Sequence, residues 1–225
     1  MWSKGKLGTL LIVCMVLLSA CSKEDAIRTL NAMEDTVNTE SQMQEHLEQI
    51  ATLESQDLEL YDLIMDQGKE ADAKLDDLLE DALQHVEDRQ EHLDAAKQIM
   101  DNAKEKSKNW RAALDNYNKD TKEAAMYEKA EQLWTDYEAR QNTFDEFYEQ
   151  YNKSLAMDKE LYLLLEGTEE EISLTKLKNK VTERNKAFAS ANKLKKQFNE
   201  ETTNFNKEHE SFSTEMQQNL SNTNS

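Results

Sequence analysis

The chain has 225 residues, with 46 Asp or Glu against 27 Lys or Arg and a formal net charge of −19. A body this acidic is repelled by nucleic acid and by an anionic lipid leaflet, so its general surface excludes both as primary partners. Two cysteines, four glycines and no proline leave little material for a disulfide framework, a glycine-lined active-site loop or a turn-rich β fold.

The N-terminus carries Lys4 and Lys6 followed by an apolar run from Leu7 to Leu18, the layout of a signal peptide and too short for a stable membrane span. It closes on Leu18-Ser19-Ala20-Cys21, which reads as a bacterial lipoprotein cleavage and lipidation box. In such a box the thiol takes a diacylglyceryl thioether before cleavage. Residues 1–20 are therefore expected to be removed, leaving lipidated Cys21 at the head of 205 residues with a net charge of −21. Two acyl chains suffice for stable anchoring where one is marginal. The expected location is the outer face of the cell membrane, with the body extending toward the cell wall. Cys14 leaves with the signal and Cys21 is consumed by lipid, so no thiol remains for a disulfide, redox centre or metal ligand. The covalent lipid on Cys21 is the only non-protein group expected, with no cofactor and no metal.

Beyond Cys21 the apolar residues recur at steps of three and four, the period of helices with one buried stripe. The first segment is the weakest, with Ile27, Leu30, Met33, Val37, Leu47, Ile50, Leu58, Tyr61 and Met65 as its stripe. Its polar stretch from Asn38 to Glu45 predicts fraying or a bend there or near Thr52 to Ser55. Gly68 can end this helix. A second seam runs Leu75, Leu79, Ala82, Val86, Arg89, Leu93, Ala96, Met100, Ala103, Ser107, Trp110, Leu114 and Tyr117. Asn116, Asn118 and Asp120 with Glu123 mark a softer turn after it.

The third seam is bulky and aromatic: Tyr127, Ala130, Trp134, Tyr137, Gln141, Phe144, Tyr148, Tyr151, Leu155, Asp158, Tyr162 and Leu165. Glu166-Gly167-Thr168 ends it, and Thr168 with Glu171 forms a capping box for the next helix. The last segment has a heptad with Leu177, Arg184, Ala191, Phe198, Phe205 and Phe212 at one position and Val181, Phe188, Lys195, Thr202, His209 and Met216 at the other. Four helices over approximately 24–66, 70–118, 121–165 and 168–218 follow. Short links between equal helices favour antiparallel neighbours. The expected fold is all-α, an elongated antiparallel up-down bundle of about four long coiled-coil-like helices over 21–216, with a polar, disordered tail at 217–225. Two consecutive two-helix coiled coils joined end to end satisfy the same periodicity, and the seams could be satisfied within one chain or between two.

Charge is uneven along these helices. Residues 54–81 hold eleven Asp or Glu against Lys69 and Lys74, whereas 174–198 hold eight Lys or Arg against Glu183. In one reading the two zones neutralise each other across neighbouring helices. In the other, Lys176, Lys178, Lys180, Arg184, Lys186, Lys193 and Lys196 turn cations outward to contact a phosphate-bearing wall polymer such as teichoic acid, or peptidoglycan. Lys186 and Lys193 sit two places past their seam positions, which suits an outward direction.

No catalytic constellation is visible. His85 and His92 are seven apart on one stripe, but both flank the seam by one place and read as its solvated border; His46 and His209 stand alone in sequence. Paired carboxylates are too frequent on these helices to mark acid/base work. The aromatic residues fall mostly on the seams and read as core, and Phe147 beside Tyr148 widens the apolar stripe enough to reach a neighbouring helix or a partner.

The lipobox, the acidic helical body, Leu58-Glu59-Leu60-Tyr61 followed by Ile64 and Gly68, Ala82 with Val86, Arg89 and Leu93, and above all Tyr148-x-x-Tyr151-x-x-Ser154-Leu155-x-x-Asp158-Lys159-Glu160-Leu161-Tyr162 carry a resemblance. In order and spacing they are similar to the cell-wall-binding lipoproteins of the YkyA type from Gram-positive bacteria, over essentially the whole chain. The resemblance implies an envelope location and a wall partner; it transfers no functional residue except Cys21 as the lipid site. Together these readings predict a non-catalytic, lipid-anchored helical protein that contacts wall polymer, or alternatively a coiled-coil scaffold that recruits another envelope protein. Cys21→Ala is expected to leave the helical body folded but release it from the membrane fraction; retention of that variant in washed membranes would refute the lipobox.

Overall fold

A computed structural model describes residues 6–67, 74–117, 124–166 and 173–222, with side-chain environments from Glu24 onward. Five helices account for nearly all of them: α1 (Lys6–Ser41), α2 (Met43–Gln67), α3 (Lys74–Asp115), α4 (Ala124–Glu166) and α5 (Leu174–Asn222). There is no strand among the described residues. Cys21 lies in the backbone of α1, and its side chain is outside the described set, as are the turns expected at Gly68 and Gly167-Thr168.

The first expected helix is interrupted at Gln42, inside the polar stretch whose composition predicts a bend. Just before the break, the Thr36 and Thr39 hydroxyls donate to the carbonyls of Ala32 and Asp35 at 2.9 and 2.8 Å. Such back-bonding competes with the helical ladder and bends it. At the other end of the chain, α5 starts later than the capping box at Thr168 implies. Ser173 is its cap, its hydroxyl accepting the Lys176 amide at 3.1 Å. It also runs further: α5 is helical to Asn222, so Gln217–Asn222 continue the helix instead of forming the polar tail expected from 217.

The single bundle domain expected over 21–216 resolves into two compact units. Unit 1 comprises 1–39, 102–139 and 201–225, and unit 2 comprises 40–101 and 140–200. Each is a helical bundle with antiparallel neighbours. In unit 2, α3 runs against α4, because Lys97 faces Asp145, Asp94 faces Tyr148 and Glu87 faces Lys159. There α4 likewise runs against α5, with Thr143 bonded to Gln197 and Glu160 paired with Lys180. In unit 1, Arg111 meets Glu131 and Tyr117 meets Tyr127 across α3 and α4, while Lys129 meets Glu215 and Tyr137 meets Phe205 across α4 and α5.

The seams read from sequence form the cores. In unit 2 the centre is Ile50, Leu79, Leu93, Met100, Phe144, Tyr151, Tyr162 and Phe198; in unit 1 it is Met33, Trp110, Leu114, Tyr137, Phe205 and Phe212. Two positions of the first segment fail this pattern: Ile27 is 38% and Leu58 is 64% exposed. Ala26 and Thr29 are buried around Ile27 while Leu30 and Met33 keep the expected face, and Asp57, one place before Leu58, takes the buried position there.

His209 is half-buried in unit 1, its ring stacked on Phe205 at 5.9 Å between centroids with Nε2 buried and unpartnered. Burial holds its pKa below the ordinary 6.5, only partly offset by Glu34. The unfolded chain therefore takes up this proton first as pH falls below 6.5, and stability is lost from there down through the lower, folded-state pKa. His209→Gln is expected to flatten the fall in urea midpoint between pH 7 and 5; an unchanged pH profile would contradict this assignment.

Candidate functional site: a buried ion network and an exposed lysine face

The chemically densest place in unit 2 lies on its seams. Arg89 of α3, Asp57 of α2 and Asp158 of α4 have side chains only 1%, 3% and 0% exposed. Arg89 pairs with Asp57 through Nη2, and the same nitrogen donates to Asp158 Oδ2 at 3.1 Å. Its Nε donates to the His85 carbonyl at 3.3 Å. The other oxygen of Asp158 accepts from Arg184 Nε of α5 at 2.5 Å, and the His85 ring closes the far side at 2.9 Å from Asp57 Oδ1. Two carboxylates and two guanidiniums thus balance, and the network joins α2, α3, α4 and α5.

Its surroundings are apolar and aromatic. The Arg184 guanidinium lies over the rings of Phe188 and Tyr61 at 4.9 and 5.3 Å, a cation–π placement. Burial pushes the Asp57 carboxyl above its usual range against the pull of Arg89 and His85. Burial works against the Arg89 cation too, but the Asp57 and Asp158 carboxylates favour it and its pKa is raised. The hydroxyls of Tyr151 and Tyr162 are raised first by burial and then by neighbouring carboxylates, Glu54 for Tyr151 and Asp158 for Tyr162, so both stay protonated. A second buried pair, Arg140 with Glu40, lies in the same unit, its guanidinium over Phe198 at 5.8 Å.

The seven basic residues expected to form one outward patch separate into two sets. Arg184 is committed to buried Asp158, and Lys180 is held in a surface ion pair with Glu160, so neither is left without a partner. Lys176, Lys178, Lys186, Lys193 and Lys196 are exposed, and none of them makes an ion pair among the described residues. At 3.6 residues per turn, Lys178, Lys186, Lys193 and Lys196 fall within about 80° of the α5 circumference, while Lys176 projects roughly 120° from their centre. This lysine face is opposite Ala187, Ala191 and Phe198, which point into the core. Lys193 also borders a shallow polar groove with Ser190 and Gln197 on α5 and Glu146 and Glu149 on α4.

The remaining candidates are located as follows. Phe147 is buried between Phe144 and Tyr151, so it meets its neighbours in the core and offers no outward face. Trp110 is fully buried, edge-on to Trp134. Three of the histidines have side-chain partners: His85 bonds Asp57, and His92 meets His46 of α2 with 3.0 Å between their Nδ1 atoms. Among the described residues no group of three or more His, Cys, Asp or Glu is arranged to hold a metal ion. No described helix is long and apolar enough to cross a membrane.

Residues 25–215 match the family model described as "Putative cell-wall binding lipoprotein", YkyA. The chain belongs to the YkyA family. A curated relative, the uncharacterized lipoprotein YkyA of Bacillus subtilis (strain 168), is 25% identical over 88% of this chain and 86% of its own length. The crystal structure of a conserved protein of unknown function from Staphylococcus aureus has the same fold, with a TM-score of 0.70 at 13% identity over 86% of this chain and 94% of that one. The match to the YkyA family spans the helices of both units, including the buried ion network and the lysine face.

Removing one member of a buried ion pair strands the other charge and typically costs about 3–5 kcal/mol, whereas apolar replacement of the whole set is often neutral. Arg89→Met is accordingly expected to lower unfolding stability by about 3–5 kcal/mol. Combining it with Asp57→Leu, Asp158→Leu and Arg184→Met should recover most of that loss. Urea titrations followed by circular dichroism read both; a single variant as stable as the parent would show that the pairing carries no net weight.

Proposed function

We propose that this member of the YkyA family is a lipid-anchored, non-catalytic protein of the cell envelope that contacts anionic wall polymer through the outer face of α5. The observation that carries the reading is the set of exposed lysines, Lys178, Lys186, Lys193 and Lys196, without ion-pair partners among the described residues, on a chain of net charge −19. They span about 27 Å of helix at 1.5 Å per residue. Exposed lysines bear compact, mobile charges suited to successive phosphates along a flexible polymer, not to one shaped ligand. The family's description as cell-wall binding supports the choice of partner, and the lipobox at Cys21 supports the location. The non-catalytic reading is supported by the buried network, whose carboxylates and guanidiniums are committed to one another beneath the surface.

A protein partner is the second reading, and it rests on Leu58, Leu63 and Leu163, which are 64%, 52% and 48% exposed in unit 2. The two readings separate by salt and by substitution. Co-sedimentation with isolated cell walls, with and without teichoic acid, should show retention that depends on the polymer and falls with salt. A lysine near a polyanionic surface contributes on the order of 1 kcal/mol, so Lys178→Glu, Lys186→Glu and Lys193→Glu together should weaken retention by more than about tenfold with an unchanged helical spectrum. Retention unaffected by this triple charge reversal would remove the lysine face as the contact.

A further inference from the structure

The pairing of His46 with His92 has no place in the buried network or the lysine face. His46 lies in the first turn of α2 and His92 in the middle of α3, and the two Nδ1 atoms face each other at 3.0 Å with ring centroids 5.3 Å apart. Both rings are half-buried, and their sequence neighbours Leu47 and Leu93 belong to the unit 2 core. Neither nitrogen turns to a carboxylate or backbone carbonyl; each uses the other. Two neutral imidazoles can do this only if one donates its Nδ1 proton and the other accepts it. The same approach suits a late first-row divalent cation. With metal–nitrogen bonds of about 2.0–2.1 Å and a tetrahedral angle, two ligand nitrogens lie roughly 3.3 Å apart, a few tenths of an ångström wider than the present contact.

The geometry points to a two-histidine site for a divalent transition metal such as Zn²⁺, clasping α2 to α3 through the Nδ1 atoms of His46 and His92. On binding, the donor ring moves its remaining proton from Nδ1 to Nε2, so both Nδ1 lone pairs reach the metal and no net proton is released. Each ring then carries its proton on Nε2, and the partial exposure of both side chains leaves room for water as its acceptor. Water completes the coordination, since the described residues hold no third protein ligand in place. The exposed carboxylates Glu45, Glu48 and Glu91, next to the two histidines in sequence, draw a dication toward the site. Imidazole donors without thiolate suit Zn²⁺, Ni²⁺ and Cu²⁺ over Mg²⁺ or Ca²⁺, which take oxygen ligands.

The test is titration of the full chain in detergent with Zn²⁺ by calorimetry. One equivalent per chain is expected, insensitive to millimolar Mg²⁺. Loss of an outer-shell partner alone commonly costs 10–100-fold in metal affinity, so loss of a ligand in His46→Ala or His92→Ala should weaken binding by about a hundredfold or more. His209→Ala, in the other unit, should bind like the parent. In case a variant fails to fold, imidazole ¹⁵N spectra of the unaltered chain provide a second reading, in which Zn²⁺ should shift the Nδ1 resonances of two of the four histidines. Binding of equal strength in the His46 and His92 variants, or ¹⁵N shifts confined to other histidines, would overturn the site.

Discussion

Arg89 is a guanidinium at the centre of an apolar helical unit, and it can be there only because two carboxylates from two other helices meet it. An isolated cation at that depth is prohibitively costly, and so is either carboxylate alone. The apolar seams supply the driving force for packing, but a heptad repeat tolerates slippage: moving one helix by seven residues restores much of the same apolar contact. It does not restore this pairing. A slip of α4 along α3 takes Asp158 away from Arg89 and from Arg184 together, stranding a buried carboxylate, unpairing Arg184 and leaving Arg89 with Asp57 alone. A polar residue at a seam position serves this registering function in coiled coils at some cost in stability. Here a charge-balanced set fixes α2, α3, α4 and α5 at once.

Unit 1 is held differently. Its centre is an aromatic interlock in which Trp110 meets Trp134 and Tyr137, and Tyr137 meets Phe205, all at centroid distances of 5.2–6.0 Å. Rings of this size have few ways to interdigitate, so shape does there what charge does in unit 2. Arg111 holds Glu131 with both terminal nitrogens at 2.7 Å, a bidentate pair at the partly exposed edge of the unit. The same guanidinium lies over Trp134 at 5.6 Å, which ties the ion pair to the aromatic interlock.

Periodicity alone made most of this architecture legible. Every position on the seam from Leu79 to Tyr117 is buried, including polar Arg89 and Ser107, and so are Gln141 and Asp158 on the next seam. All four interrupt an apolar pattern in the sequence, and two of them, Arg89 and Asp158, hold the buried ion network together. What sequence could not provide was the pairing: Arg89 and Asp158 are 69 residues apart, and only the antiparallel register of α3 and α4 brings them together. Arg184 shows how composition misleads. It occupies a heptad position, yet the surrounding lysines invited its assignment to an outward cluster. Leu58 is the converse case, apolar but out of phase; Ile50, Leu60 and Ile64 set a phase that buries Asp57 and leaves Leu58 to solvent.

The same phase argument explains how a strongly acidic chain keeps an unpaired basic face. Cations on the inner side of α5 are taken by acids of neighbouring helices: Arg184 by Asp158, Lys180 by Glu160 and Lys195 by Glu54. Of these pairs only Lys195 with Glu54 joins the acidic zone at 54–81 to the basic zone at 174–198; the other two draw on acids of α4, and each extends only as far as side chains can reach across a helix interface. Lysines on the opposite side of α5 are beyond that reach, so their charge is left to solvent or to a partner. Net charge and local charge then act over different distances. At physiological ionic strength the Debye length is about 8 Å, so repulsion from the distant acidic surface is screened while an anion in direct contact with the lysine face still feels it. A protein that is acidic overall can in this way remain soluble in an anionic environment and still present one face to it.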